Sequence, residues 1–249
     1  MQKMVVRQVE LSVYTPVKRV MRLLITIVLC LIVAGILSST FRILNYPLPG
    51  SKWFHKMFDL DSEYNIPAWY SSFSLLFSAG LLAVITALKK SDRYHFYWKI
   101  LAFIFLFLGL DEAFSFHEAL IVPSVRKSLH LNPLFYHTWV IPALGLVGFF
   151  MFKYWKFAMH LPRQTRFLVM LACGIYVTGA LGMEMLGGAI REAYGRWNIV
   201  TQTVIISEEI LEMTGILIFI YALLTYLTSF ADQLTVNYQL APEALKPQD

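Results

Sequence analysis

Residues 101–118 read LAFIFLFLGLDEAFSFHE, an unbroken apolar run that ends in three carboxylates and a histidine, and this stretch decides the fold. It lies inside a longer apolar segment, Tyr97–Val122, which exceeds the roughly 20 helical residues that cross a bilayer core of about 30 Å. An ionised side chain at bilayer depth costs at least about 2.5–3.5 kcal/mol on insertion scales. The stretch therefore predicts a transmembrane helix whose acidic residues are functional.

The composition of the whole chain agrees with a membrane protein. Of its 249 residues, 57% are hydrophobic and 15% are charged, and the mean hydropathy of +0.59 is too high for a soluble domain. Six segments are long enough to span a bilayer: Leu23–Phe41, Pro67–Leu88, Tyr97–Val122, Thr138–Ala158, Phe167–Ile190 and Val200–Phe230. We expect an all-α, polytopic membrane helix bundle of about six transmembrane helices, without a separate soluble domain.

Lysine and arginine residues set the expected orientation. With the N-terminus inside, most of the 21 Lys and Arg residues fall in cytoplasmic segments, as the positive-inside rule requires. The expected organisation is a cytoplasmic N-terminal segment over 1–22, a transmembrane domain over 23–230 with an acidic outer loop near 51–66, and a cytoplasmic tail over 231–249. The net charge of +5 is a topology signal, and we expect no nucleic-acid partner.

The apolar segments contain seven carboxylates. They are Asp111, Glu112, Glu118, Glu184, Glu208, Glu209 and Glu212. Because no Lys or Arg lies near the cluster, the expected partner that neutralises it is a cation or a proton. Counting about 1.5 Å per residue places Asp111 near mid-membrane and the others in its outer half, so one outward-opening site is expected to collect them.

Helical periodicity predicts which of these side chains share a face. At about 100° per residue, Asp111, Ser115 and Glu118 form one narrow stripe of the third helix, and His117 points elsewhere. On the last helix all three glutamates, at positions 208, 209 and 212, fit within an arc of about 100°, where like charges repel unless something neutralises them.

Glu184 is expected at a packed helix interface. It lies beside Gly174, Thr178 and Gly182, small residues at four-residue spacing that let transmembrane backbones approach closely.

The ligand types suggest which metal the cluster binds. An all-oxygen set suits Ca²⁺, Mg²⁺ or Mn²⁺, and adding His117 or His137 suits Fe or Mn. The candidate metal ligands are Asp111, Glu112, His117, Glu118, Glu184, Glu208, Glu209 and Glu212. The Glu-x-x-His signature of di-iron bundles is absent from the sequence, which disfavours an oxygenase. Alternatively, the carboxyl groups are protonated and serve as interhelical hydrogen-bond partners, and the two histidines pack at interfaces.

The acidic outer loop allows two interpretations. Asp59, Asp61, Glu63 and Asn65 alternate as in the start of a calcium loop, but the central Gly and the distal Glu of an EF-hand are absent. The loop is either a plain polar loop or a vestibule that attracts cations.

The loop and the third helix together resemble a known family. The stretch from Phe58 to Ser72, FDLDSEYNIPAWYSS, followed by Leu-Asp-Glu-x-x-Ser-x-His-Glu over residues 110–118, is similar to a family of uncharacterised bacterial multi-pass membrane proteins. Glu208, Glu209 and Glu212-Met213 are similar in the last helix. The resemblance implies a bacterial plasma membrane location and no established activity.

Three hypotheses of function remain open. The preferred one is transport or ion sensing through an outward-facing carboxylate cluster that binds a cation or protons. The first alternative is an intramembrane metal-dependent enzyme that acts on a lipidic substrate. The second is an accessory or assembly subunit of a membrane complex. The expected partners are the lipid bilayer and a cation or proton, with an oligomer or a partner subunit left open.

Overall fold

The computed structural model describes residues 9–13, 17–45, 49–230 and 234–238. Its α-helices are α1 (Val17–Ile43), α2 (Ser51–Phe58), α3 (Ile66–Leu88), α4 (His95–Phe114), α5 (Pro123–Ser128), α6 (Val140–His160), α7 (Arg163–Val177), α8 (Glu184–Tyr194) and α9 (Ile199–Thr228). Short 3₁₀ helices cover Phe116–Leu120 and Pro133–Phe135, and a π-helical segment, Thr178–Met183, joins α7 to α8.

Five helical stretches are long and apolar enough to cross a membrane: α1, α3, α6, the combined stretch Arg163–Tyr194 and α9. They correspond to five of the six predicted spans, so the prediction of an α-helical membrane protein is confirmed. α1 begins at Val17 instead of Leu23. The remaining predicted span, Tyr97–Val122, is interrupted after Phe114.

The predicted straight helix Tyr97–Val122 is wrong beyond Phe114. α4 ends there, and Ser115 has a left-handed φ of 53°. The next helical segment, Phe116–Ser128, is bent by 79° from α4. The Asp111 side chain explains why the helix ends. Its Oδ1 accepts a hydrogen bond from the backbone N–H of His117 at 2.9 Å, and its Oδ2 lies 2.9 Å from the Nδ1 of the His117 ring. A side chain that binds backbone ahead of it competes with the helical hydrogen bonds.

Polar and proline residues fix the other helix boundaries. Asn65 accepts the backbone N–H of Ala68 at 3.2 Å and starts α3, and Asn198 accepts that of Val200 at 2.8 Å and starts α9. Pro162 forces the preceding residue into an extended conformation and so separates α6 from α7.

α9 is the central helix of the bundle. It contacts α1, α3, α7 and α8, and its Ile220 and Leu223 are fully buried. The rings of Phe105 on α4 and Phe219 on α9 stack with centroids 4.4 Å apart. α6 lies at the periphery, where Phe152 is 80% exposed, as suits a lipid-facing helix.

The bundle has two ends that are defined by side-chain contacts. At the α3–α4 end, the Tyr94 ring lies 4.8 Å from that of His160, and Lys89 lies 4.5 Å from the Phe230 ring, which brings together the connection between α3 and α4 and the ends of α6 and α9. At the α2 end, His55 of α2 lies 2.8 Å from the Ser38 hydroxyl of α1.

Part of each predicted cytoplasmic segment forms a strand. β1 (Val9–Val13) pairs antiparallel with β2 (Leu234–Tyr238), with Val9 opposite Tyr238. This ribbon was not expected, since both segments were predicted only as cytoplasmic tails. Residues 17–22 of the predicted N-terminal segment belong to α1. Residues 1–8, 14–16, 231–233 and 239–249 lie outside the described residues, including the basic Lys3, Arg7 and Lys246 that contributed to the predicted orientation.

Candidate functional site: the carboxylate cluster

The three glutamates of α9 are partly buried in the first half of the central helix. Glu208 faces α8, where a Cβ on Gly187 would lie 3.9 Å from its Oε2. Glu212 packs on the π-helical segment, where a Cβ on Gly179 would lie 2.9 Å from its Cγ. Within the described residues, no Lys or Arg forms an ion pair with Glu208, Glu209 or Glu212.

Gly179 allows the close approach of the π-helical segment to α9 at these glutamates. A Cβ on Gly179 would also lie 3.0 Å from the backbone oxygen of Glu208, closer than almost all real contacts. The predicted small-residue pattern is wrong in detail, because Gly174 has open space around it and Gly182 meets only Thr178 of its own helix. The glycine that contacts α9 is Gly179, which lies between these two positions.

Glu184 begins α8 and forms the most specific contacts of the cluster. Its Oε1 lies 2.6 Å from His137 Nδ1 and accepts a hydrogen bond from the Trp139 indole at 3.1 Å. Its carboxyl group also faces that of Glu208 across the helix interface. Glu184 is therefore at a packed interface, and His137, predicted only as an alternative ligand or an interface residue, is its partner.

The second histidine–carboxylate pair lies at the bend after α4. His117 Nδ1 is 2.9 Å from Asp111 Oδ2, and its ring lies 5.1 Å from that of Trp139. Because Trp139 also contacts Glu184, this one indole links the two pairs. The prediction that His117 points away from Asp111 is wrong, since it assumed a continuous helix through Ser115.

Glu63 belongs to the cluster, although the sequence predicted it only as part of the acidic loop. Glu209 and Glu212 each have both Glu63 and Glu112 among their charged neighbours. Burial raises the pKa of the Glu63 carboxyl above its usual value, and its Oε2 has no hydrogen-bond partner among the described residues. The Ser115 side chain lies beside it.

Glu118 does not share a helical stripe with Asp111. It is exposed on the 3₁₀ helix beyond the bend, where Glu63 has it among its charged neighbours. The predicted alignment of Asp111, Ser115 and Glu118 fails because the chain leaves the α-helical path at Ser115.

The acidic loop closes the α2 end of the bundle through arginines. Asp59, which is 2% exposed, accepts a hydrogen bond from Arg196 at 3.0 Å and one from Ser62 at 2.6 Å. Arg196 Nε lies 2.7 Å from Asp61, which also pairs with Arg191. These contacts use the loop carboxylates as partners of guanidinium groups, so they favour a structural loop over a calcium loop.

The predicted metal ligands do not form a preformed metal centre. In the described part of the chain, no three His, Cys, Asp or Glu side chains are arranged to hold a metal ion. The residues instead form histidine–carboxylate pairs and carboxyl–carboxyl contacts, and groups of both kinds can gain or lose a proton.

The fold and the cluster define the class of protein: an α-helical membrane protein with a carboxylate-rich interior. Residues 23–227 match the family model described as a domain of unknown function, DUF8692, and the chain therefore belongs to that family. This agrees with the resemblance to an uncharacterised family. No curated protein and no solved structure matches the chain.

Proposed function

We propose that this protein is a transporter or ion sensor whose intramembrane carboxylates bind a cation in exchange for protons. The observation that carries the proposal is the position of the three α9 glutamates. Glu208 and Glu212 have Glu184 among their charged neighbours, and Glu209 and Glu212 have Glu63 and Glu112. No Lys or Arg forms an ion pair with any of the three within the described residues.

The free-energy cost of isolated charges supports neutralisation by a bound ion. Each ionised carboxylate costs at least about 2.5–3.5 kcal/mol at bilayer depth. Three such groups on one helix would cost about 8–10 kcal/mol, which is comparable with the free energy of unfolding of a typical protein, about 5–15 kcal/mol. Protons neutralise the cluster one carboxyl at a time, and a divalent cation neutralises two carboxylates at once.

Two histidines provide nitrogen atoms that can accept protons beside the cluster. Here each imidazole contacts one carboxylate, His117 with Asp111 and His137 with Glu184. The His117 ring also lies beside Trp139, whose indole donates a hydrogen bond to Glu184. A proton that leaves the glutamates has these imidazoles as nearby acceptors.

The proposed topology has six spans, with both termini in the cytoplasm of a bacterium. α4 and the bent segment Phe116–Ser128 count as one broken span, and broken spans are typical of ion sites in transporters. The cluster then opens toward the outer side beside α2. The excess of Lys and Arg at the α3–α4 end supports this orientation.

The metal-dependent enzyme has less support than transport or sensing. Its ligands would need to converge, and the two histidines instead lie in separate carboxylate pairs.

Cation-dependent thermal stabilisation tests the proposal. A ligand at 100 times its Kd stabilises the folded state by about 2.7 kcal/mol. That stabilisation raises the melting temperature of a protein of this size by roughly 5–11 °C. We expect Ca²⁺, Mg²⁺, Mn²⁺ or Fe²⁺ to stabilise the detergent-purified protein, and Glu208→Gln with Glu212→Gln to remove most of the shift.

Glu192→Gln is the matched control. Glu192 is on α8 but pairs with Arg126 at the surface, so this variant should keep the full shift. An equal cation shift in the wild-type protein and the double variant would contradict the proposal, as would a shift that the control loses as well.

A further inference from the structure

A groove on the outside of the bundle lies between α3 and α4. Its volume is about 710 Å³, and it runs from the α3–α4 end toward the middle of the bundle. On α3 its floor is made of small residues, Gly80, Ala83 and Ala87, which are exposed. On α4 its wall is made of Phe103 and Leu106, which are exposed as well.

The groove is closed at mid-bundle because α3 and α4 touch there. Ser72 donates a hydrogen bond to the Gly109 backbone oxygen at 2.7 Å, and a Cβ on Gly109 would lie 2.8 Å from the Leu76 side chain. From Leu76 to the end of α3 at Leu88 the helix rises about 18 Å at 1.5 Å per residue. This length is close to one leaflet of a bilayer core about 30 Å thick. The groove therefore has the dimensions of one acyl chain.

The open end of the groove is basic. Lys90 and Lys99 line it and are exposed, and His95 between them has a buried Nδ1 without a hydrogen-bond partner among the described residues. No carboxylate lines the groove. The acid in the same connection, Asp92, accepts the backbone N–H of Tyr94 at 2.7 Å. Two exposed ammonium groups thus lie together where an apolar channel opens.

We propose that this groove binds an anionic phospholipid of the leaflet at the α3–α4 end. One acyl chain lies on the small residues of α3, against Phe103 and Leu106. The phosphate accepts hydrogen bonds from the Lys90 and Lys99 ammonium groups. Basic pockets between transmembrane helices recognise anionic headgroups, and an apolar chain fills a groove that a larger side chain would block. This site is separate from the carboxylate cluster and does not depend on its function.

Native mass spectrometry of the full chain tests the proposal. The delipidated protein is mixed with phosphatidylglycerol or with phosphatidylcholine that has the same acyl chains. We expect one phosphatidylglycerol to remain bound preferentially, and Lys90→Gln with Lys99→Gln to weaken its retention by about 30-fold, given the contribution of each lysine at a membrane surface. Ala83→Leu should displace the acyl chain and weaken the retention of both lipids.

Lys18→Gln with Arg19→Gln is the matched control. It removes the same charge from exposed positions at the start of α1, away from the groove, and should keep the preference. Unchanged melting temperatures show that the variants are folded.

Three outcomes would overturn the proposal. The first is equal retention of the two lipids by the wild-type protein, and the second is equal loss of phosphatidylglycerol in the groove variant and the control. The third is a dimer that Ala83→Leu abolishes, which would make the occupant a second copy of this chain.

Discussion

Replacing Arg196 by Gln should destabilise the protein more than the loss of an exposed ion pair does. Arg196 joins the loop before α9 to the acidic loop, contacting Asp59 at 3.0 Å, Asp61 at 2.7 Å and Ser62 at 3.2 Å. Glutamine is shorter and uncharged, so the substitution removes the charge and most of these contacts. Asp59, which is 2% exposed, would remain buried without its guanidinium partner.

The expected cost is about 2–3 kcal/mol of unfolding free energy. Removing one partner of a fully buried pair costs about 3–5 kcal/mol. The Arg196 side chain is 37% exposed and Asp59 keeps its bond to Ser62 at 2.6 Å, so water screening and the remaining contact lower that cost. For a protein of this size, the change corresponds to a fall in melting temperature of roughly 4–12 °C.

Thermal unfolding of the purified protein in one detergent measures this change. Arg126→Gln is the control, because Arg126 pairs with Glu192, which is 42% exposed, and such surface pairs contribute about 0.2–1 kcal/mol. A double-mutant cycle with Asp59→Asn should give a coupling of about 0.5–3 kcal/mol. Equal effects of Arg196→Gln and Arg126→Gln, or a coupling near zero, would refute the reasoning.

Three further substitutions test separate parts of the structure. Gly179→Ala should cost about 1–3 kcal/mol in thermal unfolding, because its Cβ would collide with α9 at Glu212 and at a backbone oxygen that cannot move; no loss of stability would contradict the close approach. Glu63→Gln should stabilise the protein at about pH 7.5 and less near pH 4.5: burial raises the folded-state pKa, so the native carboxyl contributes stability at low pH that is lost as the pH rises through that pKa. A gain that is equal at both pH values would argue against it. His55→Gln should flatten the pH dependence of stability below about pH 6.5, since burial, only partly offset by Asp59, lowers the folded-state pKa of the imidazole and wild-type stability is lost as the pH falls; a slope that is unchanged in melting curves would disprove this.

Hydropathy and length predicted the spans because the membrane constraint is local. Each helix must satisfy its own backbone hydrogen bonds in lipid, so an apolar segment of spanning length has one structural solution. The same reasoning failed at Ser115, which adopts a left-handed conformation without a Gly or Pro to mark it. There, the contacts of Asp111 with His117, six residues ahead, replace the helical hydrogen bonds.

The candidate site was predicted in outline, because helical spacing placed the α9 glutamates together. Its remaining members depend on contacts between distant parts of the chain. Glu63 lies in a loop whose alternation gives no hint that it meets Glu112. His137 meets Glu184 because the chain at the 3₁₀ helix Pro133–Phe135 packs against α8. The sequence did not predict the ion pairs of Arg191 and Arg196, because their carboxylate partners are more than 100 residues away along the chain.

Infrared difference spectroscopy of the protein reconstituted in lipid measures whether a cation displaces protons from the carboxylate cluster. The measurement compares spectra before and after adding a divalent cation, for the wild-type protein and for Glu208→Gln with Glu212→Gln. The proposal predicts that absorbance of protonated carboxyl groups falls and carboxylate absorbance rises in the wild-type protein, and that the double variant loses most of this change. A wild-type spectrum that no cation alters between about pH 5 and pH 8, the range in which histidine titrates, or an equal change in the variant, would contradict it.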